Sequence, residues 1–322
     1  LRKVFELGFD RIEVGNIRLL PGSEMETDEC RNTYKLETKY RLISGSYGKY
    51  GDIPIFEYEE SVRSSKDITE EEMLSLRIVH FLIWALWNFG IGKPILKYLQ
   101  FKYKQNPLDV ILNLIESSNN AQFKKFVEKF DKQSREEWFD TSEELSQYYT
   151  KNFEKLIKDG FLKLNFRYLA EIFSNKSFAK TLIDSLAEEF DDITVKKLAK
   201  FCFERIYFPY SSELIKEIPI DEDVVLSLKK IYPDLIFDSN VCRFEQTEKA
   251  NNAIEYELKK YGFENNPIRA LALTFETYKS KFLYSFQFSG KNRESLGDFS
   301  GSFDYHAQLR PLEVEKQSSQ PE

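Results

Sequence analysis

The chain has 322 residues, of which 42% are hydrophobic and 31% are charged, and this composition is that of an ordinary globular protein. Its length predicts one to three domains with a sizeable core. Its net charge of −7 argues against a nucleic acid or an anionic membrane as the main partner, because phosphate binding requires a basic face.

Cysteine usage predicts a reducing compartment. The three cysteines, Cys30, Cys202 and Cys242, are odd in number and far apart, so they form neither a disulfide framework nor a metal-binding motif. Residues 1–20 lack the basic start, apolar core and small-residue cleavage site of a signal peptide. We therefore expect a cytoplasmic protein.

The first 20 residues predict a helix followed by a strand. Residues 1–7 have the apolar spacing of the last turns of an amphipathic helix, and Gly8 suits its C-terminal cap. The apolar run of residues 11–20 is typical of a strand. A helix joined to a strand by a tight glycine turn is half of a βαβ unit, which implies a parallel sheet. A parallel strand needs neighbours, and no further αβ repeat follows, so we expect earlier strands upstream of Leu1.

Residues 22–66 predict mixed structure. A short helix is expected over 25–34, and strands are expected over 39–44 and 53–60, with the glycine-rich stretch GSYGKYGD between them as a loop. This loop does not match a phosphate-binding pattern, because no Gly-Lys-Ser/Thr closes it and no long helix follows it directly.

From residue 67 the pattern is helical. Thr69 followed by Glu72 forms a capping box that opens a long helix. Helical periodicity continues over 93–104, 107–118, 120–132, 134–158, 164–173, 176–190, 192–206, 221–231, 247–261 and 266–280. Residues 281–288 suit a closing strand or a helix end, and the composition from Ser289 onward predicts a poorly ordered tail. The predicted units are therefore residues 1–66, a helical domain at 67–288, and a tail at 289–322.

An apolar run at residues 78–92 predicts a buried core helix. It is shorter than the roughly 20 residues that a membrane span needs, and Arg77 and His80 interrupt the longer window. We expect no membrane span. His80 and His306 are the two histidines, and neither has a Cys or a second His at ligand spacing, so a hydrogen bond in the core is the better interpretation of His80.

Two further groups of charged residues have ordinary explanations. Glu57, Glu59 and Glu60 suit a solvated strand edge, although a catalytic carboxylate pair would use the same residue types. Lysines interleave with aromatic residues over 93–104, as on a surface that binds single-stranded nucleic acid, but the chain is acidic and an exposed helix explains the pattern.

The strand at residues 11–20 carries the sharpest local hypothesis for a site. Asn16 and Arg18 alternate with Ile17 and Leu19, so that if the strand belongs to a barrel one set faces the interior. A buried Asn and Arg there would be costly unless they met a ligand or a partner. The C-terminal end of a parallel strand, here residues 19–23, is also where α/β proteins bind ligands.

The stretch from Phe9 to Tyr50 resembles the region that closes the catalytic barrel in radical SAM proteins with an N-terminal cobalamin-binding domain. In that family a last barrel strand runs into N-x-R-L-L-P-G-S/T-E, followed by a Thr, an Arg-x-x-Tyr and a T-K-Y/F-R-L-I segment. The matching positions are Asn16, Arg18, Leu19, Leu20, Pro21, Gly22, Ser23, Glu24, Thr27, Arg31, Tyr34, Thr38, Lys39, Tyr40, Arg41, Leu42 and Ile43. Residues 57–62 also resemble the post-barrel segment of the family, and the helical region resembles its C-terminal extension.

The resemblance implies a mostly α fold, in which a multi-helix C-terminal domain follows the last α/β unit of a partial radical SAM TIM-like barrel. It implies that Asn16, Arg18 and Leu19 lie on the cofactor side of that strand. The full-length protein would use a [4Fe–4S] cluster, S-adenosylmethionine and cobalamin, and the partner of this chain would be the N-terminal remainder of the same protein.

The chain departs from the family at the cluster itself. Three cysteines in Cys-x-x-x-Cys-x-x-Cys hold the cluster in radical SAM proteins, and the three cysteines here cannot supply that spacing. No stretch of the chain resembles the cobalamin-binding sequence that carries the family's Asp-x-His motif. The chain alone should therefore be inactive in S-adenosylmethionine cleavage, and its substrate is not indicated.

Two other functions remain open on the sequence. The chain could be a stand-alone helical interaction module without catalysis, in which case the strand at residues 12–20 should be covered, whereas a fragment should expose its apolar face and edge. A hydrolase that uses Glu57, Glu59 or Glu60 is the third hypothesis.

Overall fold

A computed structural model describes residues 1–9, 11–206, 208, 215–231, 241–245, 248–283 and 310–311. Short elements come first: α1 (Arg2–Glu6), β1 (Arg18–Leu19), a 3₁₀ turn (Glu24–Glu26), α2 (Asp28–Tyr34), β2 (Glu37–Tyr50) and β3 (Ile53–Ser64). The first part of the helical region contains α3 (Glu70–Leu82) with a π-helical continuation (Ile83–Asn88), α4 (Lys93–Tyr103), α5 (Pro107–Ser117), α6 (Ala121–Glu136), α7 (Ser142–Lys151) and α8 (Phe153–Asp159). Its second part contains α9 (Leu164–Ser174), α10 (Lys176–Glu188), α11 (Ile193–Glu204), β4 (Ile215–Pro219), α12 (Glu222–Ile231), β5 (Val241–Glu245), α13 (Glu248–Lys260), α14 (Pro267–Leu283) and β6 (Arg310–Pro311).

The prediction of a mostly helical protein is confirmed for the described residues. The predicted capping box forms, since the Thr69 hydroxyl accepts from the Glu72 amide and the Glu72 carboxylate accepts from the Thr69 amide. One long helix was expected over 134–158, and the structure divides this stretch between α6, α7 and α8. A new helix begins after Thr141, whose side chain caps α7 by accepting from the Glu144 amide.

The first sheet differs from the parallel arrangement that the αβ pattern predicts. The predicted strand over 11–20 is reduced to the two residues of β1, and β1 pairs antiparallel with β3. The sheet order is β1-β3-β2, and all of its pairings are antiparallel. The reason is that β2 and β3 form a long hairpin whose second strand offers β1 a free edge. This antiparallel sheet therefore does not confirm the expected remnant of a barrel.

The predicted glycine-rich loop is mostly part of β2. The two strands are longer than the sequence predicts, and their pairing continues to the turn at Gly51 and Asp52. The register shifts between Leu42 and Tyr47, where Gly45 adopts a φ of 76°. A β-bulge at this position lets β2 continue through the glycine-rich residues that the sequence predicts as a loop.

The core is shared between the N-terminal segment and the helices. Phe5 is fully buried and packs edge-on against Trp87, with ring centroids 5.0 Å apart. The buried Asn88 side chain accepts from the Ile12 amide at 2.9 Å and donates to the Ile12 carbonyl at 2.7 Å. These contacts cross the predicted boundary at residue 66. A smaller cluster lies between the sheet and α7–α8, formed by Leu42, Leu145, Tyr149 and Leu156.

The last part of the chain is described only in pieces. The second sheet has the order β4-β5-β6 and is antiparallel where described. Of the predicted segment 281–288, the first three residues belong to α14 and the others lie outside the described residues. The predicted tail from residue 289 also lies outside them, apart from β6.

No single helix among the described residues has the length and apolar character to cross a bilayer. One pair, Glu70–Asn88 with Lys93–Tyr103, meets both criteria jointly but is bent by 91°.

Candidate functional site

The three predicted cofactor-side residues lie at β1 but are not equally accessible. Leu19 is buried, so its side chain belongs to the packing of the sheet. Asn16 is half-buried, just before β1. The Arg18 side chain is half exposed, and its Nε lies 2.8 Å from Oε2 of the buried Glu59 on β3. Arg18 therefore joins the surface of the sheet to a buried carboxylate.

A chain of alternating charges continues inward from Arg18. The Arg41 guanidinium donates to Glu59 from Nε at 2.9 Å and from Nη2. Its Nη1 donates to Oε2 of Glu137 at 3.2 Å, and the same oxygen accepts from Nη2 of Arg77 at 2.8 Å. We call Arg18, Glu59, Arg41, Glu137 and Arg77 the buried charge network. It joins β1, β3, β2, the end of α6 and α3.

The ionised forms of this network stabilise one another. Burial opposes the charge on Arg41, but the carboxylates of Glu137 and Glu59 outweigh it and raise the pKa of the guanidinium. Burial likewise opposes the charge on Glu137, and the two arginines together with the Leu164 amide, which donates at 3.0 Å, hold the pKa of this carboxyl below its usual range. Arg41 and Glu137 therefore form a charged pair in the interior.

Arg63 lies beside this network without a hydrogen bond. Its side chain is 1% exposed, and none of its three guanidinium nitrogens has a hydrogen-bond partner among the described residues. Its Cζ lies 4.3 Å from the ring centroid of Trp138, over which Arg41 also lies at 4.6 Å. Its Nε lies 3.9 Å from a carboxylate oxygen of Glu70. Burial, together with the nearby Arg77, lowers the pKa of Arg63 to about 10.

The prediction of a solvated edge for the three neighbouring glutamates is wrong for two of them. Glu57 is exposed, whereas Glu59 is buried in the network. Glu60 accepts from Nη1 of Arg31 at 2.8 Å and from the Thr38 hydroxyl at 2.5 Å. Burial opposes its ionisation, but these hydrogen bonds lower the pKa of Glu60. A general acid needs a raised pKa, so this arrangement does not suit the hydrolase hypothesis.

The remaining candidate residues do not form a second site in the described part of the chain. His80 is half-buried, and burial, with the adjacent Arg77, lowers its pKa to about 4. Burial raises the pKa of the Cys202 thiol to about 11, which makes it unreactive. Among the described residues no three His, Cys, Asp or Glu side chains lie together as metal ligands. His306 lies outside those residues.

Lysines at the end of α4 and directly after it contact the protein itself. Lys102 donates to Asp192 at 2.9 Å, and Lys104 donates to the Phe101 carbonyl at 3.0 Å. Tyr98 and Tyr103 also donate to Asp192. Residues of the interleaved pattern over 93–104 thus contact other parts of the protein, which favours the interpretation of this stretch as an ordinary helix.

The comparisons with known proteins leave the function open. No protein-family model matches the chain. No curated protein matches it either.

Sequence reasoning missed most of the buried charge network. It singled out Arg18 and Glu59 but not Arg77 or Glu137, and Arg41 entered only as a motif match. One signal was present, because Arg77 lies on the apolar face of α3 between Leu74 and Ile78, where a cation needs a buried partner. The identity of that partner could not be read from the sequence, since Glu137 is 60 residues away.

Proposed function

We propose that this chain is the C-terminal portion of a radical SAM enzyme of the type with an N-terminal cobalamin-binding domain. In this proposal the preceding part of the protein supplies the [4Fe–4S] cluster, S-adenosylmethionine and cobalamin. Asn16 and Arg18 lie on the cofactor side of the last barrel strand, and the helical domain faces the substrate or a partner.

One observation supports the proposal beyond the motif itself. The polar residues that carry the resemblance contact one another: Arg18 and Arg41 pair with Glu59, and Arg31 and Thr38 pair with Glu60. Both glutamates belong to the segment that resembles the post-barrel sequence of the family. The scattered matches thus form one structural unit around β1, which is what a shared fold would require of them.

The surface near β1 is also consistent with a missing neighbour. Leu7, Phe9, Ile17 and Leu20 are each more than half exposed. Such a concentration of large apolar side chains within 20 residues is typical of a surface that another element covers. In the proposal, the earlier barrel strands and helices cover it.

The runner-up function is a stand-alone helical interaction module. It is favoured by the burial of Ile12 and Leu19 and by the Asn88 hydrogen bonds that hold the segment before β1 on the helical core. The segment does not separate the two hypotheses, because Ile12 and Leu19 are buried and Val14 is half-buried, whereas Ile17 and Leu20 are exposed.

The experiment is to sequence the gene upstream of Leu1 and to express the longest open reading frame anaerobically. We expect a Cys-x-x-x-Cys-x-x-Cys motif, a reconstituted cluster, and formation of 5′-deoxyadenosine or of a methylated product from S-adenosylmethionine. In that protein, Arg18→Met should weaken S-adenosylmethionine binding. The matched variant Arg31→Met, in the same motif but paired with Glu60, should leave binding unchanged. A start codon directly before Leu1 would contradict the proposal and favour the interaction module.

A further inference from the structure

The region around Trp138 contains buried hydrogen-bond donors without acceptors. All three guanidinium nitrogens of Arg63, the Trp138 indole nitrogen and the Ser61 hydroxyl are buried and lack a hydrogen-bond partner among the described residues. Ser61 and Arg63 are two residues apart at the end of β3, where the register with β2 shifts between Thr38 and Glu37. The Trp138 ring stacks on the Arg63 guanidinium, whose Cζ lies 4.3 Å from the ring centroid.

A buried guanidinium without an acceptor is costly. Burying an ionised group is strongly unfavourable unless a partner charge and hydrogen bonds compensate it, and stacking on an aromatic ring returns only part of that cost. The neighbouring arginines do not have this problem, since Arg41 and Arg77 each donate to a carboxylate. Arg63, in contrast, has no hydrogen-bond partner for its guanidinium among the described residues. A negatively charged acceptor would therefore stabilise Arg63 more than it would stabilise Arg41 or Arg77.

We propose that Arg63, with the Trp138 indole N–H and the Ser61 hydroxyl, binds one small carboxylate at the buried face of the first sheet. A carboxylate matches the planar fork of a guanidinium and accepts two parallel hydrogen bonds from it. The ligand is small because the donor atoms lie out of reach of solvent. Access requires movement of the segment between α6 and α7, which is held to β2 by the two backbone hydrogen bonds between Tyr40 and Phe139. The proposal does not depend on the radical SAM assignment.

The test uses the indole resonances of the full chain. The chain has three tryptophans, so labelling with ¹⁵N-tryptophan gives three indole signals, which single Trp→Phe variants assign. Sodium formate is titrated in a chloride-free buffer at constant ionic strength. We expect a saturable shift of the Trp138 signal. The Trp87 signal is the internal control, because its indole N–H already donates to the Phe9 carbonyl at 3.1 Å, and it should not move.

Variants separate specific binding from general effects of salt. Arg63→Met should abolish the shift, and Arg63→Lys, which keeps the charge but loses the fork, should weaken binding about tenfold or more. The matched variant Arg135→Met removes an exposed arginine that pairs with Glu71 and Asp131, and it should leave the titration unchanged. If Arg63→Met does not fold, Arg63→Lys decides the question.

Three results would overturn the proposal. The first is that formate moves the Trp138 and Trp87 signals equally, without saturation. The second is that Arg63→Lys binds formate as tightly as the original protein. The third is that chloride produces the saturable shift and formate does not, which would assign the cluster to a halide rather than to a carboxylate.

Discussion

Removing the Glu137 carboxylate should destabilise the protein more than any other single change in the buried charge network. The Glu137 side chain is 9% exposed, and it accepts from Arg41 at 3.2 Å, from Arg77 at 2.8 Å and from the Leu164 amide at 3.0 Å. Glu137→Gln keeps the shape but leaves two buried guanidinium groups with less negative charge. Breaking a buried pair in this way costs about 3–5 kcal/mol, which is a large part of the roughly 5–15 kcal/mol that stabilises a domain.

The matched control is the preceding residue. Glu136 is also at the end of α6, but its side chain is 61% exposed, and it forms a long ion pair with Lys132 at 4.0 Å. Glu136→Gln should therefore change the free energy of unfolding by less than about 0.5 kcal/mol. Urea unfolding followed by far-ultraviolet circular dichroism gives both values, and tryptophan fluorescence reports on Trp138, next to Glu137.

A second substitution tests the cause of the loss. If Glu137→Gln is costly because it leaves Arg77 buried without its charge partner, then adding Arg77→Met should recover about 1 kcal/mol or more, since residues in one network couple by about 0.5–3 kcal/mol. Equal stabilities of Glu137→Gln and Glu136→Gln would refute the reasoning, as would a double variant whose loss is the simple sum of the two single losses.

Three further predictions concern single residues. Burial lowers the pKa of His80 to about 4, so the unfolded chain binds more protons than the folded protein between that pH and about 6.5, and stability should fall as the pH falls through this window. In urea unfolding, the free energy of unfolding of the original protein should therefore fall by about 1–2 kcal/mol more between pH 7 and pH 5 than that of His80→Gln. Asn88→Leu removes both hydrogen bonds to Ile12 and should cost about 2–3 kcal/mol while exposing residues 8–17 to limited proteolysis, and an unchanged cleavage rate in this segment would contradict the prediction. Thr69→Ala removes the cap of α3 and should lower the free energy of unfolding by about 1 kcal/mol, and an unchanged urea midpoint would argue against the capping box.

The helices were predictable because their signals are local. The capping box at Thr69, the proline at the first position of α5 and the apolar spacing of α6 each lie within a few residues of the element that they define. Where a prediction failed, as over 134–158, the missed signal was a new cap at Thr141 inside a continuous helical pattern.

The sheet was less predictable because its pairing is not local. The segment before Leu20 has the composition of a longer strand, yet its ladder with β3 contains Arg18 and Leu19 alone, extended by one hydrogen bond from the Val62 amide to the Ile17 carbonyl. Their partners, Ser61 and Glu60, lie far along the chain. The length of β2 was missed for a different reason. Gly45 and Gly48 resemble a loop in the sequence, and only the register shift after Leu42 shows how a strand accommodates them.

The candidate site shows the same division between local and distant information. The motif identified Arg18 and Arg41 by type and spacing, but it could not show that both donate to Glu59 or that Arg41 also reaches Glu137, 96 residues away. This geometry changes what the motif means. Arg41 is held in the interior of the fold, so its loss would damage stability whatever the protein does. Arg18 shares the same glutamate but keeps half of its side chain at the surface. An effect of Arg18 on ligand binding without a comparable loss of stability would therefore point to function, and the same effect at Arg41 would not.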